Sequence, residues 1–258
     1  MLAHPASREA DLGVPLPDSP HACSVCLPTW AAVVGYEEGR DKVMRRLRAG
    51  YPRFVRNPLL ARLTAEVAEE LCSGREELFL FPTKNSASRA QRWIEKHAKE
   101  AARSSSFQNL QGVIVSPKAA PVAEEYQRLT GELVSSRMAE DILEGGLKTG
   151  SKRHLVQRRI AAIYKADAKD VSVFASGMSA VTALLRSLPG VAAGKKTLQL
   201  EFPYVDSLKL QERIGNGVVF LNETEGESFD EALRRIRGGE FAAVFTEVPS
   251  NPLLRCPD

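Results

Sequence analysis

At 258 residues, with 43% hydrophobic, 26% charged and 7% aromatic side chains, the chain has the composition of a soluble globular protein of one or two domains, which excludes disordered and fibrous classes. The 35 Lys and Arg exceed the 32 Asp and Glu by only three charges, too small an excess to indicate nucleic-acid binding. The sequence contains no apolar run long enough for a membrane span and no secretion signal, so we expect a cytoplasmic protein without a membrane partner.

The first 28 residues carry five prolines among polar residues, and we expect this segment to be disordered. A charged helix is predicted next, at residues 41–47, among aromatic side chains that fit a core or an interface; we favour the core because they show no periodic stacking. Cys23 and Cys26 have the spacing of half a zinc site, but no second pair or His cluster follows at ligand distance. We therefore expect no metal.

Strands and helices then alternate, which predicts an α/β unit up to residue 130. The expected elements are a helix at 59–71, a strand at 78–81, a helix at 86–102, a strand at 112–116 and a helix at 119–129. Residues 131–150 are polar and contain glycine, so we interpret them as the connection into a second domain, 131–258.

The second half repeats the alternation more clearly, and we expect a mostly parallel sheet covered by helices. Its expected elements are helices at 152–164, 177–188, 205–213 and 229–237, and strands at 171–175, 197–202, 218–221 and 242–246. Ligands of such sheets bind at the carboxyl ends of the strands. Three of these ends carry informative residues, in the letters ASGM, EFPY and TEVPSNP.

The stretch Val171–Leu188 predicts a strand, a tight turn and a helix. Gly177, Met178 and Ser179 would present unpaired N–H groups at the helix N-terminus, where partial positive charge favours a phosphate. Gly177 has no side chain to obstruct a ligand, and Ser176 and Ser179 add hydroxyl groups. Many strand-to-helix turns hold Ser-Gly for steric reasons alone, so this turn by itself leaves both interpretations open.

Taken together, the three strand ends resemble the Cys/Met-metabolism family of pyridoxal-phosphate (PLP) enzymes. SGMSA resembles the phosphate-binding turn of that family, FPYVDSL its aromatic segment and TEVPSNPLL its E-S-P-x-N-P segment. The stretches LPTWAAVVGYEEG, AGYPRFVRNP and GELVSSRMAED are similar to the long N-terminal extension of fungal-type cystathionine gamma-synthases. The resemblance covers residues 27–258 and implies part of a fold type I large domain, as in aspartate aminotransferase, preceded by an α/β extension.

The resemblance also implies roles for individual residues. Ser176, Gly177 and Met178 would bind the PLP phosphate, and Tyr204 would stack on the pyridine ring and relay a proton. Asn251 would lie near the phenolic oxygen of the cofactor. Without the family, we would favour an aromatic packed at a strand end for Tyr204, and the Ser-Asn-Pro sequence would be a turn before a proline.

Two features depart from the family pattern. The Y-x-R arm that reaches the phosphate of a neighbouring subunit has no tyrosine here; the basic residues nearby fit either that task or a solvated helix face, and Arg137 is another candidate. Those basic residues are Lys148, Lys152, Arg153, Arg158 and Arg159. The family lysine that binds PLP covalently would lie beyond Asp258, so we expect a C-terminally truncated and inactive fragment.

The resemblance implies γ-replacement on an activated homoserine with cysteine as sulfur donor, by a homodimer or homotetramer. A γ-lyase or a homoserine sulfhydrylase of the same family is an alternative, because the substrate-selecting residues lie mostly beyond Asp258. A non-catalytic binding or assembly module is a second alternative, which the missing lysine would suit.

Overall fold

The computed structural model describes residues 7–146, 152–250 and 253–256. The chain forms two compact units: unit 1 comprises Met1–Arg128 and Leu133–Ser151, and unit 2 comprises Leu129–Glu132 and Lys152–Asp258. The division differs from a single boundary after residue 130, because the segment following Glu132 returns to unit 1. No helix among the described residues combines the length and the apolar character needed to cross a bilayer.

Unit 1 contains six helices and five strands among its described residues. They are β1 (Pro15–Leu16), β2 (Ser24–Val25), α1 (Trp30–Glu37), α2 (Asp41–Met44), α3 (Pro58–Leu71), β3 (Glu77–Phe81), α4 (Lys84–Ala98), β4 (Ala102–Phe107), β5 (Leu110–Val115), α5 (Ala120–Thr130, whose last two residues belong to unit 2) and α6 (Ser136–Leu143).

The proline-rich start carries regular structure from residue 7 onward, in contrast to the disorder expected there. β1 and β2 pair antiparallel, and Leu12 packs into a small core with Ala32 and Val43. The Asn57 side chain donates a hydrogen bond from Nδ2 to the Pro20 carbonyl at 2.8 Å. These contacts supply apolar burial and backbone partners that local composition does not reveal.

The main sheet of unit 1 has the order β3-β5-β4, and both of its pairings are antiparallel. The predicted strands at 78–81 and 112–116 correspond to β3 and β5, and their apolar side chains form a core with α3 and α6. β4 was missed because its polar RSSSF sequence has no strand-like apolar alternation; it is defined by its pairing with β5. α6 was missed inside the expected connection, although Ser135 caps its first turn.

Glu76 makes the stability of unit 1 dependent on pH. Its carboxylate accepts hydrogen bonds from Arg103 and Ser73, which lower its pKa from 4.5 to about 2. A depressed folded-state pKa stabilises the protein above the unfolded value, and this contribution is lost as the pH falls from 4.5 towards 2. We expect Glu76→Gln to be less stable than the wild type at neutral pH, with the difference vanishing towards pH 2.

Urea unfolding of both proteins across this pH range measures the effect. Glu66→Gln is the control, because Glu66 forms an exposed ion pair with Arg62 on α3. A difference between Glu76→Gln and the wild type that stays constant with pH would contradict the assignment.

Unit 2 contains four helices and three strands among its described residues, in addition to the end of α5. They are α7 (Arg153–Tyr164), α8 (Gly177–Ser187), β6 (Thr197–Leu200), α9 (Val205–Arg213), β7 (Val218–Leu221), α10 (Glu227–Arg237) and β8 (Val244–Phe245). The sheet has the order β7-β6-β8 with parallel pairing, as expected for this half. One core lies between the sheet and α10, and another joins α8 with α9.

The predicted strand at 171–175 is wrong. The segment has no ladder pairing, and its carbonyl groups bind side chains of α7 instead. Gln157 Nε2 donates to the Val171 carbonyl at 2.7 Å, and an Arg153 Nη donates to the Val173 carbonyl at 2.8 Å. A β-branched apolar run favours an extended backbone, but a strand also needs a neighbour that pairs with it.

Candidate functional site

The turn before α8 is held by a reciprocal capping box. Ser176 Oγ accepts a hydrogen bond from the Ser179 N–H at 3.1 Å, and Ser179 Oγ accepts one from the Ser176 N–H at 3.0 Å. This arrangement fixes the start of the helix at Gly177. The Ser176 side chain therefore serves to shape this turn, the corner formed by Ser176, Gly177 and Met178.

The Ser179 N–H, predicted to be unpaired, is used by the capping box, so Gly177 and Met178 carry the remaining donors of this corner. Neither N–H group donates to an acceptor within the described part of the chain, as expected for the first turn of a helix. Gly177 is exposed, and a Cβ placed on it would meet no atom within 4 Å. Met178 is only 5% exposed, and its side chain packs with Leu129, Leu185 and Leu210. The corner thus combines an anchored backbone, unused donors and open space.

Gly131 supports the same corner from the end of α5, and sequence reasoning missed it. Its carbonyl accepts a hydrogen bond from Ser176 Oγ at 3.2 Å. Its φ is +63°, and a Cβ on it would lie 2.6 Å from Ser176 Oγ, 2.9 Å from Met178 Cβ and 3.1 Å from the Ser179 nitrogen. Only a glycine fits this approach without displacement. The available signal was a glycine at the predicted boundary, but its partner lies 45 residues away.

Tyr204 stands at the start of α9, immediately beyond β6. Its N–H donates to Glu247 Oε1 at 2.7 Å, and this bond links the segments that follow β6 and β8. Its hydroxyl donates to Asp206 Oδ2 at 3.4 Å, and the residue is 37% exposed. Glu247 therefore positions the Tyr204 backbone.

Helices α8 and α9 pack against each other, since Met178 of α8 and Leu210 of α9 belong to the same core cluster. The third predicted segment is described only in part, and Asn251 lies outside the described residues. Before it, Ser250 is fully buried and accepts the Arg255 N–H on its Oγ at 3.1 Å. The Ser250 N–H donates to the Arg255 carbonyl at 2.8 Å, so two hydrogen bonds join these two residues.

The basic residues considered for phosphate binding have different surroundings. Arg153 is committed to the Val173 carbonyl, whereas Lys152, Arg158 and Arg159 are exposed on or beside α7. Lys148 lies outside the described residues. Arg137 is an exposed residue of unit 1.

Cys23 and Cys26, which have the spacing of half a zinc site, form no disulfide. Cys23 is exposed and Cys26 is buried, and burial followed by the charge of Asp11 raises the pKa of the Cys26 thiol. Within residues 7–146, 152–250 and 253–256, no group of three or more His, Cys, Asp or Glu side chains is arranged to hold a metal ion.

Comparison with known proteins gives several relatives. The chain is 31% identical over 95% of its length to the L-2-amino-4-chloropent-4-enoate dechlorinase/desaturase of Streptantibioticus cattleyicolor, and it covers 52% of that enzyme. It is 25% identical over 96% of its length to the cystathionine gamma-synthase of Neurospora crassa, covering 62% of it. It is 32% identical to the Saccharomyces cerevisiae cystathionine gamma-synthase over 53% of the chain and 24% of that enzyme.

The chain thus spans 52% and 62% of the length of the first two relatives. No family model and no solved structure matches it significantly.

Proposed function

The chain belongs to the fungal-type trans-sulfuration family of PLP-dependent enzymes that includes cystathionine gamma-synthase, and we propose that unit 2 supplies one wall of the cofactor site. The observation that carries the proposal is the start of α8, where the N–H groups of Gly177 and Met178 donate to no described residue and the space around Gly177 is open. A dianionic phosphate is the ligand that such a corner stabilises best. The described residues therefore fit the phosphate end of PLP, with Ser176 holding the turn and Gly177 and Met178 donating.

Tyr204 is proposed to form the face that covers the cofactor ring. When bound, PLP supplies an electron sink for negative charge at the α and β carbons of an amino acid. The Tyr204 backbone is held by Glu247, and its hydroxyl lies 3.4 Å from Asp206 Oδ2; this hydroxyl is proposed to hold or pass a proton. Asn251 is proposed to contact the phenolic oxygen of the cofactor.

The proposed substrate is an α-amino acid with a leaving group on its γ carbon. Activated homoserine has this form, and so does the amino acid in the name of the dechlorinase relative, which carries chlorine on C4. We favour γ-replacement by the sulfur of cysteine because several relatives are cystathionine gamma-synthases. In the complete protein, an assay of an activated homoserine with cysteine, with sulfide and with neither separates synthase, sulfhydrylase and γ-lyase.

A homodimer or homotetramer is proposed for the complete protein. Supporting this, α7 leaves several apolar side chains exposed at helical spacing, which a second copy would cover. They are Leu155, Val156, Ile163 and Tyr164. The free state of all four cysteines supports a cytoplasmic location, where thiols stay reduced.

Gly177→Asp tests phosphate binding at this corner without destabilising the fold. An acidic residue at the first helical position favours the helix dipole, and the space around Gly177 is open, so we expect stability to be unchanged or slightly raised. The same carboxylate would repel a phosphate. We expect the dissociation constant for pyridoxamine 5′-phosphate to rise at least about 10-fold.

Pyridoxamine 5′-phosphate is the chosen probe because it forms no covalent adduct with surface lysines, and its fluorescence reports binding. Gly190→Asp is the matched control, since it adds the same charge in open space beyond the C-terminal end of α8. Equal binding by the wild type and Gly177→Asp, or no binding by either, would overturn the proposed site.

A further inference from the structure

The segment Leu129–Glu132 belongs to unit 2, like α8, and contacts this helix beyond the corner. Thr182, in the middle of α8, donates a hydrogen bond from its Oγ1 to the Thr130 carbonyl at 3.2 Å, and both residues are at most 1% exposed. Arg186, in the last turn, donates from Nη1 to Glu132 Oε1 at 2.9 Å. Together with the contact at the corner, these bonds attach the start, the middle and the end of one helix to the same short segment.

The ion pair of Glu132 with Arg186 is shielded from solvent. The two side chains are 11% and 25% exposed, whereas those of the pair between Arg235 and Glu240 on the far side of α10 are 34% and 51% exposed. Water screens a shielded pair less than a surface pair, and removing one partner leaves the other charge poorly compensated. The last turn of α8 is therefore held firmly against Glu132.

Because α8 is a continuous helix, its two ends move together. Gly177 and Arg186 lie nine residues apart, which at about 1.5 Å per residue is about 14 Å along the axis. A tilt of about 4° would thus displace one end relative to the other by about 1 Å. Hydrogen bonds weaken steeply over such a displacement or when their angle is lost. Control of the tilt at the last turn is therefore control of the donors at the first.

We propose that Glu132 is a positioning residue for the start of α8. Through Arg186 it fixes the tilt of the helix and, with it, the direction of the N–H groups of Gly177 and Met178. The inference rests on the phosphate site proposed above, because these two groups are its donors. Glu132 itself carries the same sign of charge as a phosphate, so its contribution is one of geometry and not of attraction.

Glu132→Gln separates positioning from simple electrostatics by the direction of the change. Removing a negative charge would strengthen the binding of an anion or leave it unchanged. Loss of the tilt would weaken it, and we expect the dissociation constant for pyridoxamine 5′-phosphate to rise about 5-fold or more. Inorganic phosphate, added as a competitor, should weaken by a similar factor because it needs only the corner.

Two further variants show whether Glu132 acts through Arg186. Arg186→Gln should weaken binding as Glu132→Gln does, and the double variant should bind no more weakly than the weaker single variant. Glu240→Gln is the matched control, since it removes the same charge from an ion pair of unit 2. We expect it to lose stability in urea unfolding but to bind pyridoxamine 5′-phosphate like the wild type.

The ligand-free chain gives a second measurement. In ¹H–¹⁵N NMR spectra of Arg186→Gln, which changes only the last turn, we expect the amide resonances of Gly177 and Met178 to shift. The same resonances should stay in place in Glu240→Gln. A side chain that contributed only to stability would leave both amides unchanged at a temperature where each variant is folded.

The proposal is overturned if Glu132→Gln binds pyridoxamine 5′-phosphate as tightly as the wild type or more tightly. It is equally overturned if the losses of the two single variants add in the double variant, or if the Gly177 and Met178 resonances do not move in Arg186→Gln. Failure of the PLP site has a different signature. Shifted resonances in a chain whose wild type binds no pyridoxamine 5′-phosphate would support the positioning of the N–H groups and overturn the cofactor site alone.

Discussion

Replacing Gly131 with alanine is expected to destabilise unit 2 by about 3 kcal/mol. The new Cβ would lie 2.6 Å from Ser176 Oγ and 2.9 Å from Met178 Cβ, and the positive φ adds its own cost. Relief requires the start of α8 to move, because Met178 is held in the core. The same displacement would carry the N–H groups of Gly177 and Met178 away from their present positions.

Gly194→Ala is the matched control for this substitution. Gly194 also has a positive φ, of +75°, but a Cβ on it meets no atom within 4 Å, so only the backbone cost of about 1 kcal/mol is expected. Chemical unfolding gives both stabilities, and pyridoxamine 5′-phosphate binding reports on the corner. If the two variants lose equal stability, the close contact between Gly131 and α8 adds no cost beyond that of the positive φ.

Sequence reasoning succeeded where local pattern and local structure coincide. The helix at Val205–Arg213 and the strand at Val218–Leu221 have the predicted limits, since their apolar residues follow the helix and strand periods. The turn into a helix at Gly177 was also predicted, because the Ser-Gly turn and the helical pattern that follows are local in the sequence, whereas the capping box of Ser176 and Ser179 was seen only in the structure. The predicted roles of Gly177, Met178, Tyr204 and Asn251 in cofactor binding remain predictions.

The misses concern partners that are distant in the sequence. The run at 171–175 has strand-like composition, but its carbonyl groups bind Arg153 and Gln157 of α7. The polar β4 becomes a strand through its pairing with β5. The contact of Gly131 with Ser176 crosses 45 residues, and the ion pair of Glu132 with Arg186 crosses 54. Such features depend on tertiary contacts that periodicity does not encode.

Thr197, Gln199 and Gln211 form a buried hydrogen-bond network between β6 and α9. Disrupting this network is expected to lower the stability of the protein strongly. Gln211 is fully buried, and its Nε2 donates to Gln199 Oε1 at 2.7 Å, while its Oε1 accepts from Thr197 Oγ1 at 2.7 Å. These bonds join α9 to the central strand β6. Gln211→Leu would leave Gln199 Oε1 buried without this donor, whereas the Thr197 hydroxyl still has the Gly217 carbonyl at 3.3 Å.

We expect Gln211→Leu to lower the free energy of unfolding by about 2–3 kcal/mol, the cost of an unsatisfied buried polar group. The double variant with Gln199→Leu removes both ends of the bond, so its loss should be smaller than the sum of the single losses by about 1 kcal/mol or more. Urea unfolding of the four proteins measures this coupling.

Because α9 begins directly after Tyr204, the Gln211→Leu variant should also loosen Tyr204, which would be detected as weaker binding of pyridoxamine 5′-phosphate. Additive losses would show that the network contributes no more than its separate side chains.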